Sequence, residues 1–348
     1  MPLYLNRPKC HDYLRELGQK VLSKYDVFTV GETPHVEDAE TALKFVHPDR
    51  QEFSMVFPWE PMDVDRVPAT LLGHRKFPLS EFKAVFDKWQ TWMQERGGWN
   101  SIYLENHDQG RSISRFASDR PEFRVLSGKL LATMMGTLSG TLYLHQGQEI
   151  GVINLPKEWG IEEYSDVVSC MHYAQEKEKK QRLTGAVDPD MSDVIADINI
   201  KARDNGRTPM PWNGSLPGAG FTTGTPWRKV NPDAKVCNVE AAEKDAYSVL
   251  NYWKMVIALR KEWKTLVYGD FKQIEPRNER VFAYTRTLQG GDDALVVLNF
   301  CDEETRLSQD MMPAGFKGNL VIGNYKEAGS QNTLRAWEAR VYRVGGKN

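Results

Sequence analysis

Between residues 27 and 151 the chain alternates short apolar runs with stretches of helical spacing, four times over. "VFTVGE" (27–32), "FSMVFPW" (53–59), "SIYLENH" (101–107) and "TLYLHQGQEIG" (141–151) read as strands bounded by turn residues. "SEFKAVFDKWQTWMQERGG" (80–98) reads as an amphipathic helix, because Phe82, Val85, Phe86, Trp89, Trp92 and Met93 recur at three- and four-residue steps. Ser80 is its expected N-cap, and Gly97-Gly98 stop it. "RPEFRVLSGKLLATMMGTL" (120–138) is a second helix with Pro121 in its first turn, and 11–22 an earlier one. Alternation of this kind builds βα units around a parallel sheet, an α/β class.

The rhythm then changes. Residues 157–210 carry the charged run "EKEKKQR" and read as a mainly helical insertion. A helix follows over 245–263, with Asp245 as its expected N-cap. "RVFAYTRTL", "DALVVLNF", "GNLVIGNY" and "EARVYRV" are short β-rich runs, spaced as in an antiparallel all-β sandwich. The expected division is therefore 1–266, carrying the insertion, and 267–348. With 348 residues and 41% apolar content, both parts can bury a core.

A net charge of −2 excludes nucleic-acid binding through a strong basic field. Cys10, Cys170, Cys237 and Cys301 are scattered and expected to be reduced thiols. No apolar run could span a bilayer, and "MPLYLNRPKC" lacks the apolar region of a signal peptide, so a cytoplasmic protein off the membrane is expected.

In parallel βα proteins the reactive groups collect at the C-terminal ends of strands. Here those ends carry Glu32; Trp59, Glu60 and Asp63; His107 and Asp108; and Gln146, Gln148 and Glu149. There is no GxSxG elbow, HExxH, HxH, Cys/His cluster, GxGxxG or Walker A motif, so neither metal nor cofactor is expected. Carboxylates on separate strand ends, with aromatic residues nearby, suit cleavage of a glycosidic bond. That reaction needs a proton for the leaving oxygen and negative charge beside an oxocarbenium-like centre. Glu32 follows Val27, Phe28 and Val30, and burial there would let it hold a proton. Asp108 stands beside Asn106 and His107, a polar setting suited to a charged carboxylate. Each residue also has a plain structural reading. Glu32 could be a solvated loop residue, His107-Asp108 a local hydrogen bond, and Glu105 a carboxylate paired with Arg or Lys. Trp59, Trp89 and Trp92 read as core, with Trp59 also placed to stack on a sugar.

Together the motifs resemble the α-amylase superfamily, glycoside hydrolase family 13, in its oligo-1,6-glucosidase and maltase branch, particularly fungal forms. "VGETP", "ENHDQGR", "QGQEIG", "RDNGRTPMPW" and "AGFTTGTPW" occur in that family's order. The resemblance implies an α-glucosidase acting on short α-glucosides with retention. It implies Glu32 as general acid/base and Asp108 as the second carboxylate, stabilising the transition state. It also implies that His107 and Arg111 bind substrate and that one of Arg203 and Arg207 reaches the terminal glucose. Arg203 is preferred, the other being a loop brace. Pro211, Val152 and His145 stand where Gln, Met and Tyr are usual.

The family's nucleophile stretch, similar to GFRxD, and its DxxxNH stretch do not occur in these residues. The resemblance thus implies the C-terminal half of a (β/α)8 barrel, strands five to eight, followed by the β-domain. Half a barrel leaves unpaired edges. Each exposed large apolar side chain forgoes roughly 1.5–3 kcal/mol of burial, against a domain stability of about 5–15 kcal/mol. The chain alone is therefore expected to be unstable or to aggregate unless its other half is supplied in trans. Hydrolysis by it alone is expected to be negligible. An inactive glucosidase-like partner subunit and a transglycosylating or isomerising relative are the alternatives.

Overall fold

The computed structural model describes residues 6–345. Four short parallel strands form one curved layer: β1 (Val30–Thr33), β2 (Met55–Pro58), β3 (Ser101–Ile102) and β4 (Thr141–Leu142). β1 pairs with β2 and β3 with β4, and a parallel bridge between Val56 and Asn100 joins the two pairs. The strands are shorter than the sequence suggests. Val27 and Phe28 precede β1 and are exposed, because β1 is an edge with a neighbour on one side only. Beyond Ile102 the chain stays buried through Glu105 without strand pairing.

Helices Pro8–Lys20, Ala39–Val46, Leu79–Glu95 and Arg124–Thr137 accompany this layer. Ser80 does not cap the third: Pro78 holds the cap position, and Ser80 N–H donates to Glu279 instead. Pro121 lies before the fourth rather than in its first turn. That helix is buried on all sides from Ser127 to Thr137, and Gly136 is what lets its neighbour, Val249–Glu262, cross it closely. A Cβ at 136 would stand 2.1 Å from Val256 Cγ1. Ser248, not Asp245, caps the Val249–Glu262 helix, accepting from Asn251 N–H.

Residues 157–210 contain helices Val167–Thr184 and Ser192–Lys201 and a tight turn, Arg203–Arg207. The later strands are β5 (Asp270–Ile274), β6 (Val281–Thr287), β7 (Asp293–Asn299), β8 (Thr305–Arg306), β9 (Asn319–Gly323), β10 (Thr333–Leu334) and β11 (Ala339–Val344). They form a five-stranded antiparallel sheet of order β5-β6-β7-β11-β9, with β8 and β10 as a separate pair. Strand alternation gives this sheet two apolar faces. Phe282, Tyr284, Val296, Leu298 and Val341 join the core of helices Arg124–Thr137 and Val249–Glu262. Val281, Ala283, Leu295 and Val297 face Met311, Met312 and Leu334. The parallel layer and the antiparallel sheet thus share one core. Lys83, fully buried, adds to the join by donating to the carbonyls of Glu275, Asn278 and Val281.

Candidate active site

The loop after β3 is built on a buried ion pair. Glu105 Oε1 accepts from Arg111 Nη1 at 3.0 Å, and its Oε2 accepts from Ser112 N–H at 2.5 Å. Arg111 also donates to the carbonyls of Asn205 and Gln146. Its side chain is 2% exposed. Its guanidinium thus braces the loop from below. Glu105 is the structural carboxylate its position suggested.

The brace fixes what lies above it. Asn106 Oδ1 accepts Asp108 N–H at 2.8 Å, turning the loop so that Asp108 stays half-buried while His107 is exposed. The Arg203–Arg207 turn packs against this loop, with Gly206 allowing the approach. His145 Nε2 lies 2.9 Å from Gly206 O and holds the turn from the β4 side. Both arginines then face Asp108. Arg207 Nη2 donates to Asp108 Oδ1 at 2.5 Å, Arg207 Nη1 to Asp166 Oδ2 at 2.8 Å, and Arg207 Nε to His107 O at 2.7 Å. Arg203 Nε stands 3.6 Å from the same Asp108 oxygen, as does His107 Nε2. The sequence offered these two arginines as alternatives; the fold brings both to one carboxylate, Arg207 in the closer contact.

Asp108 and Arg203 line a cleft of ≈ 190 Å³ with Trp59, Asp63, Lys201 and His35. Trp59 is half-buried and open to this cleft, whereas Trp89 is core and donates to Glu60. Glu32 lies at the end of β1, opposite Phe57 of β2, and its side chain is exposed. The burial expected of Glu32 is therefore absent, because nothing covers the outer side of β1 among the described residues. Pro34 and His35, just beyond it, do reach the cleft. Burial pushes the Tyr103 hydroxyl above its ordinary range; Arg115 opposes this, and the charges of Glu32 and Asp63 add to it.

One buried ion cluster beside the cleft was not singled out in the sequence. Asp65, fully buried, accepts from Arg115 Nε at 2.6 Å and Nη2 at 2.7 Å, and from Lys201 Nζ at 2.7 Å. Burial alone would raise its pKa, but the two cations override it and hold the carboxyl well below the usual range. Lys201 ends the helix that leads into the arginine turn. Among the described residues no group of three His, Cys, Asp or Glu side chains is arranged to hold a metal ion, and no helix is long and apolar enough to cross a membrane.

The sequence model of the alpha amylase catalytic domain matches residues 2–269. The chain belongs to the alpha-amylase family. This family member is 41% identical to an oligo-1,6-glucosidase of Parageobacillus thermoglucosidasius over 348 aligned residues, covering 98% of this chain and 59% of that protein. It is 36% identical to an alpha-glucosidase of Candida albicans, covering 97% of this chain and 58% of the relative. Among solved structures, the isomaltulose synthase of a Klebsiella species superposes with a TM-score of 0.88 at 34% identity, covering 97% of this chain and 59% of that one. A trehalose-6-phosphate hydrolase of Bacillus licheniformis gives 0.87 at 33% identity, covering 97% and 60%. This alpha-amylase-family chain thus spans about three-fifths of the length of the relatives it matches.

Proposed function

We propose that these 348 residues carry the acid/base side of a retaining site that hydrolyses α-glucosidic bonds in short oligosaccharides of the maltose and isomaltose type. The observation that carries this reading is the pair of arginines closing on Asp108 at a strand-end cleft, with Trp59 beside it. Such a carboxylate is fixed in direction, as a group that binds sugar hydroxyls and stabilises an oxocarbenium-like centre must be. Glu32 is the general acid/base, His107 donates to the same sugar, and Arg203 lies at the substrate end of the cleft. Arg207 positions Asp108 from behind.

Retention needs a second carboxyl group about 5–5.5 Å from the acid/base. None of these residues stands in a GFRxD-like context. We therefore read 1–266 as strands five to eight of the barrel with the 157–210 insertion, and 267–348 as the β-sandwich domain. The nucleophile comes from a further segment lying against β1. Exposed Tyr25, Val27 and Phe28 are the surface that such a segment would cover. Burial of Glu32 by that segment is what would let it hold its proton.

The test is complementation. The 348 residues are co-expressed with the part of the Parageobacillus oligo-1,6-glucosidase that lies outside the match. The complemented protein is expected to hydrolyse maltose or isomaltose, the chain alone not to, and Glu32→Gln and Asp108→Asn to abolish the gain. Hydrolysis by the chain alone at the complemented rate would overturn the reading. A second reading, isomerisation of the bound glucoside, is favoured by the likeness to an isomaltulose synthase. Product analysis of the same reaction separates the two.

A further inference from the structure

Helix Val167–Thr184 begins at the Asp108 cleft, where Val168 is part of the lining. Asp166, the residue before it, has a carboxylate with two contacts. Its Oδ1 accepts Val168 N–H at 2.9 Å and so caps the helix. Its Oδ2 accepts from Arg207 Nη1 at 2.8 Å. The Asp166 side chain is 5% exposed, so water does little to loosen this charged contact. The backbone beneath it is anchored in turn. Asp204, fully buried, accepts from Ser165 N–H at 2.9 Å, Asp166 N–H at 3.1 Å and Ser169 Oγ at 3.0 Å, and pairs with Arg228. Moving Asp166 would break several of these buried contacts at once.

Arg207 thus stands between two carboxylates. Its Nε donates to the His107 carbonyl, its Nη1 to Asp166 and its Nη2 to Asp108. A planar guanidinium engaged at all three nitrogens cannot turn. On Asp108 the neighbours fall on one oxygen. Oδ1 has Arg207 at 2.5 Å, and Arg203 and His107 at 3.6 Å each. Among the described residues no hydrogen bond reaches Oδ2. The clamp therefore holds Asp108 by Oδ1 and leaves Oδ2 as a free acceptor. Because Asp166 shares the charge of Arg207, that free oxygen also keeps more of its own.

We infer that Asp166 is a positioning residue for Asp108, acting through Arg207, an inference that rests on reading Asp108 as the carboxylate that meets the sugar. Asp166 fixes the direction of the guanidinium, and the guanidinium fixes the direction of Oδ2. The start of helix Val167–Thr184, within the 157–210 insertion, thereby becomes part of the site.

The test is a double-mutant cycle on maltose hydrolysis by the complemented protein. Asp166→Ser keeps a helix-capping oxygen but is too short to reach Arg207. It should lower kcat about tenfold or more by itself, and less than about twofold in the Arg207→Ala background, where the link is already broken. A helix cap acts without Arg207, so a merely structural role gives the same loss in both backgrounds. No loss of kcat, or equal losses in the two backgrounds, would overturn the proposal. Should Asp166→Ser fail to fold, Asp166→Asn, which keeps the shape and the capping oxygen, goes through the same cycle. Asp108→Asn separates the two levels: full activity there overturns the reading of Asp108, whereas a loss there with none in Asp166→Ser overturns the positioning alone. If the complemented protein shows no hydrolysis, nitrogen-15 NMR of the full chain decides. The Arg207 Nε–H signal, identified by its absence from Arg207→Ala, should exchange with water about tenfold faster or more in Asp166→Ser. Unchanged exchange overturns the proposal equally.

Discussion

Replacing Asp65 by Asn should be the most damaging single change near the site. Its carboxylate is fully buried and balances two cations, Arg115 through a two-pronged contact and Lys201 through one. The side chain of Arg115 is 0% exposed and that of Lys201 8% exposed, so neither can turn to water. Removing one partner of a buried pair costs about 3–5 kcal/mol, because the remaining charge is stranded. The Asn carbonyl can still accept one bond, which places the expected loss near ~3 kcal/mol. That is a large share of the about 5–15 kcal/mol that holds a domain folded. Urea unfolding of the complemented protein measures it as a shift in midpoint at constant slope. The triple change Asp65→Leu, Arg115→Met, Lys201→Met removes all three charges and should recover most of the loss. A loss below about 1 kcal/mol, the range of an exposed pair, would refute the reasoning. The pH dependence follows from the same contacts. The folded carboxyl titrates well below its unfolded value, so its contribution is complete above about pH 4 and drains away as pH falls below that.

Arg207→Ala should cut hydrolysis by the complemented protein more than Arg203→Ala does, through kcat, since Arg207 holds Asp108, Asp166 and the His107 carbonyl together; equal losses would argue against it. Gly206→Ala should push the arginine turn off the Asp108 loop, because its Cβ would meet Asn106 O at 2.5 Å and Gln109 O at 2.9 Å. The expected outcome is a large loss of kcat with the far-ultraviolet circular dichroism preserved. Burial lowers the pKa of His74, His145 and His172 from 6.5, so the folded state binds fewer protons than the unfolded state. Thermal stability should therefore be full above about pH 6.5 and fall as pH drops through it. His172, whose Nε2 is buried without a partner among the described residues, should lose its share of that slope in His172→Phe. A flat profile between pH 8 and pH 5 would contradict this.

Much of the chain could be read from its residues alone, because the signals are local. Alternation of apolar runs with helical spacing set the order of strands and helices, and "ENHDQGR" placed His107 and Asp108 in the loop after a strand. The edges of elements were less legible. Ser80, Pro121 and Asp245 are good terminal residues, but Glu279 draws Ser80 into the helix and Ser248 takes the cap from Asp245. Roles that depend on what lies across the fold were not legible. Arg111 and Arg207 are both arginines near motifs, and only packing makes one a buried brace and the other the clamp on Asp108. Asp65 lies far in sequence from both its partners. Glu32 shows the same limit: a strand's apolar residues state what it would bury, but a neighbouring strand decides whether burial occurs. Local spacing fixes the backbone's path, because hydrogen bonding and side-chain period act over a few residues. The charge, exposure and reach of a side chain are set by residues far along the chain, and so belong to the tertiary structure.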